Sequence, residues 1–93
     1  ANARALAEAR VDGERIVAAT EGALASDSAL LDSGERDAIA RALHDARRAL
    51  EGDDRDAIAA AISALAAATD TFAARRMDRG ASRALAGRRI DTL

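Results

Sequence analysis

No proline interrupts this chain, and its apolar side chains recur at intervals of three and four residues from one end to the other. That spacing is the period of a helix rather than a strand. A chain that can run as helix anywhere is stopped only by glycine and by side chains that cap helix ends. The first stretch has inward positions Leu6, Ala9, Gly13, Ile16, Thr20 and Ala23, widened later by Val17 and Leu24. Residues 26–33, Ser-Asp-Ser-Ala-Leu-Leu-Asp-Ser, break the pattern, and Leu30 and Leu31 are placed to plug one end of a bundle. Asp32-Ser33-Gly34-Glu35 reads as a capping box opening a second helix. Ile39, Leu43, Ala46 and Leu50 form that helix's stripe. Gly52 stands where a left-handed C-terminal glycine is expected, and Asp53 follows as the next N-cap. Ile58, Ile62, Leu65, Thr69, Phe72 and Arg76 continue the seam through a third helix.

These spacings predict an all-α fold: an antiparallel three-helix bundle with a long projecting first helix and a short C-terminal helix. The helices are expected over about 2–25, 33–51, 54–79 and 81–86, with Gly80 as the interruption before the last. Whether the third helix bends near Thr69-Asp70-Thr71 is left open. The expected bundle core is Ile16, Leu24, Leu31, Ile39, Leu43, Leu50, Ile58, Ile62, Leu65 and Phe72.

Composition makes that core thin. Only 18 residues are large and apolar (Val, Ile, Leu, Met, Phe), and alanine supplies the rest of the apolar count. Alanine lets helices approach closely but buries little area, so stability is expected near the low end of about 5–15 kcal/mol. The first half of helix one is the weakest part. Leu6 and Val11 are its only large apolar residues before Ile16, and Gly13 costs about 1 kcal/mol against alanine. That half is expected to lie against something beyond the bundle, with Leu6 and Val11 as exposed contacts, or to pair with another copy.

Little in the chain suggests catalysis. There is no cysteine, which excludes disulfides and thiolate chemistry. The single histidine, His44, lacks partners at ligand spacing. Asp53, Asp54 and Asp56 lack the alternation and glycine of a calcium loop and sit where helix caps belong. No glycine-rich phosphate loop appears. No uninterrupted apolar run approaches about 20 residues, so no membrane span is expected. Net charge is −2. Residues 1–70 hold 8 arginines and 14 acids, a sum of −6; residues 71–93 hold 6 arginines and 2 acids, a sum of +4. Without aromatic platforms, the basic end reads as a solvated face rather than a nucleic-acid site. No metal and no cofactor are expected in this chain. It opens at Ala1 without Met, directly in helical pattern, and is read as a fragment of a longer chain.

The string Phe72-Ala73-Ala74-Arg75-Arg76-Met77-Asp78, followed by Arg83-Ala84-Leu85 and Gly87, resembles the C-terminus of HscA-type chaperones of the seventy-kilodalton heat-shock, DnaK-like family. Leu6-Ala7-Glu8, Ala29-Leu30-Leu31 and Gly52-Asp53-Asp54 agree with that family in order. The resemblance covers essentially the whole chain and implies one unit, residues 1–93: the helical lid of the peptide-binding domain. The parent would then carry a β-sandwich that grips peptide and an ATPase domain that binds ATP. An IscU-type scaffold would be the client and an HscB-type protein the co-chaperone, in iron–sulfur protein maturation in the bacterial cytoplasm. By the same resemblance Glu14 falls where an acidic residue latches a lid to the sandwich rim, and Ala18 replaces a histidine found nearby in related lids. A free-standing helical dimerisation module is the alternative reading.

Overall fold

In the computed structural model the backbone is described for residues 2–92 and the side chains for residues 3–84. Three helices follow in order: α1, Asn2–Asp27; α2, Ser33–Glu51; and α3, Arg55–Thr92. A single 3-10 turn, Ser28–Leu30, joins the first two. They pack up-down-up, and each helix contacts both others. The molecule measures 60 × 30 × 17 Å. Its long dimension is set by α3, whose 38 residues extend about 57 Å at 1.5 Å per residue.

The start of α2 is fixed by the capping box. Asp32 Oδ1 accepts from Glu35 N at 2.7 Å, and Glu35 Oε1 accepts from Asp32 N at 3.0 Å. Two orphan donors are thereby satisfied. The α2–α3 turn departs from the sequence reading in two ways. Gly52 is extended (φ −91°, ψ −176°) rather than left-handed. Its carbonyl is turned outward and accepts from Arg10 Nη2 at 2.7 Å. The cap of α3 is Asp54, not Asp53: Asp54 Oδ1 accepts from Asp56 N at 3.0 Å and Ala57 N at 3.2 Å. Asp53 instead meets the Arg10 guanidinium.

The separate C-terminal helix expected over 81–86 does not form. Gly80 lies within α3, which continues unbroken to Thr92. A lone glycine costs a helix about 1 kcal/mol, and its alanine and arginine neighbours favour helix enough to carry the chain through. Nor does α3 break near Thr69, whose hydroxyl donates to the Leu65 carbonyl at 2.9 Å.

The buried side chains are Val17, Ala23, Leu31, Ile39, Leu43, Ala46, Ile58, Leu65 and Phe72. All but Ile58 form one cluster, with Leu24, Leu50 and Ile62 half-buried against it. Ile16, expected in the core, is 37% exposed. The inward line of α1 runs through Leu6, Gly13, Val17 and Leu24, so Ile16 sits about 100° off it. Gly13 is buried because α1 approaches its neighbours closely there. A Cβ on it would stand 2.8 Å from Leu50 Cδ2 and 3.4 Å from Ile62 Cδ1.

The chain has no uninterrupted apolar run of about 20 residues, yet alanine gives part of α3 a high mean hydropathy. Among the described residues, an 18-residue window within Arg55–Ala84 of α3 reaches a mean hydropathy of 1.5 and would pass for a membrane span by length and composition alone. Alanine produces that value. Of the large apolar residues of this stretch, Ile58, Leu65 and Phe72 are buried in the bundle, Ile62 is half-buried and Met77 is exposed.

Candidate interaction surface

The described residues include no group of three histidine, cysteine, aspartate or glutamate side chains that could hold a metal ion. His44 is exposed on α2. What the structure organises is packing, with an arginine-rich corner at one end and an open helix face at the other.

The corner is built where α1 turns into α2. Arg76 Nε donates to Asp27 Oδ2 at 2.8 Å and Arg79 Nη1 to Asp27 Oδ1 at 2.9 Å. Arg75 Nη1 donates to the Leu30 carbonyl at 2.8 Å and to Glu35 Oε1 at 2.6 Å. One turn of α3 thus holds the last residue of α1, the 3-10 turn and the capping box of α2. Beneath it Phe72 is buried, with the Arg76 guanidinium carbon 5.8 Å from its ring centroid. The hydrogen bond from Arg76, with further attraction from Arg79 and Arg83, holds the Asp27 carboxyl below its ordinary value of 3.8. The hydrogen bond from Arg75, followed by that from the Asp32 backbone, holds Glu35 below 4.5, and Glu35 in turn raises Arg75. Sequence reading assigned Arg76 only to a seam and missed its acidic partners. The available signal was the spacing 75, 76, 79, which gathers three arginines at the end of an otherwise apolar stretch.

The opposite end is looser. Arg10 bridges to Gly52 and Asp53, and its Nε is buried without a partner. Leu6, expected to be an exposed contact, is half-buried over an open cleft floored by Asp53, Asp54 and Asp56. The α2–α3 turn shields it. Val11 is 56% exposed and faces away from the bundle, in a shallow depression with Arg4, Ala7 and Asp12. Glu14 is exposed on the same half of α1 and forms no ion pair among the described residues. The Arg4–Glu8 pair, 3.5 Å apart, borders this face. Val11 and Glu14, three residues apart, lie on neighbouring parts of one surface.

Helices seated on one another through small residues, with one face of α1 left open, define a helical packing module. No family model matches the chain. Curated relatives do: it is 54% identical over 91 residues to a chaperone protein HscA homolog of Burkholderia multivorans, 53% over 91 residues to that of Burkholderia pseudomallei and 56% over 92 residues to that of Burkholderia cenocepacia. Each match takes in 98% of this chain and 15% of the relative. The chain belongs to the HscA-type chaperones, and it spans about 15% of the length of the curated relatives it matches.

Proposed function

We propose that this chain is the C-terminal helical lid of the substrate-binding domain of an HscA-type chaperone. It closes over bound peptide and slows its release during iron–sulfur protein maturation. The observation that carries this reading is the open outer face of α1. Val11 is more than half exposed and Glu14 lacks an ionic partner among the described residues, while the opposite side of the same helix is packed on α2 and α3. A helix anchored along one side and bare along the other is suited to lie across a second body. Here that body is the parent's own β-sandwich, with Glu14 as the latch to its rim.

The lid does no chemistry itself. ATP is bound by the parent's ATPase domain, and the IscU-type client and HscB-type co-chaperone meet the parent rather than this bundle. Its place is the bacterial cytoplasm. The test is the release rate of a fluorescent peptide from the intact chaperone. Glu14→Ala and Val11→Ser should each speed release in the ADP state, and together speed it further. Release rates unchanged in both variants would remove the lid reading.

A further inference from the structure

We draw no further inference here: the strongest candidate, the open groove along the α1–α3 seam beside the exposed Ile16, is an unpartnered face, and nothing in the structure shows what covers it.

Discussion

The two ends of this bundle are held by different means. At the α1–α2 corner, Phe72 and Leu31 are buried and three arginines of α3 tie down Asp27, Leu30 and Glu35. At the α2–α3 turn, one arginine reaches across to Gly52 and Asp53, and Ile58 is buried apart from the main cluster. The first end is closed by the chain's own side chains. The second relies on the close approach at Gly13 and leaves the outer face of α1 bare. The open end has large apolar residues of its own, Leu6, Val11, Leu50, Ile58 and Ile62, but only Ile58 among them is fully buried, and that looser end is where an external surface can lie.

The sharpest way to break that contrast is to empty the closed end. Phe72→Ala should cost about 3–5 kcal/mol, the usual range for a buried aromatic, read as a lower urea midpoint. A loss below about 1 kcal/mol would mean that Phe72 does not anchor the corner. Gly13→Val tests the open end. Its Cβ would meet Leu50 at 2.8 Å, so a loss of about 1–3 kcal/mol is expected from overpacking. Gly22→Ala is the control: a Cβ there meets nothing within 4 Å, and a gain of up to about 1 kcal/mol is expected.

Acid should act on the closed end first. The folded state lowers the carboxyls of Asp27 and Glu35 from ordinary values of 3.8 and 4.5. Their support for folding is therefore complete above those values and fades as pH falls through the lower, folded ones. Thermal midpoints should drop below about pH 4.5, and Asp27→Asn with Glu35→Gln should make the drop shallower. An identical acid limb in the double variant would show that the arginine corner is not its source. The smallest effect belongs to the outer face: Val11→Ser should change stability by less than about 0.5 kcal/mol.

Much of this fold was legible in the residues. The capping box at Asp32 and Glu35 and the stripe Ile39, Leu43 and Ala46 follow from local spacing alone. The seam of α1 was harder, because glycine, alanine and threonine give little contrast in size. A shift of one residue exchanges Ile16 for Val17 at almost no cost to the pattern. The end of α3 was misjudged because a lone glycine weakens a helix without stopping it. Of the candidate surface, Val11 and Glu14 could be named from spacing and resemblance. The corner arginines could not be paired, since their partners lie 40–52 residues away in the chain and only the packing of α3 on the turn brings them together.

The bare flank of α1 is best tested by chemical access at position 11. A lone thiol introduced as Val11→Cys should react rapidly with maleimide in the 93-residue chain. In the intact chaperone with peptide and ADP bound, its own cysteines replaced, the same thiol should react much more slowly. Equal rates in the two settings would contradict the account, because nothing in the parent would then lie on that flank.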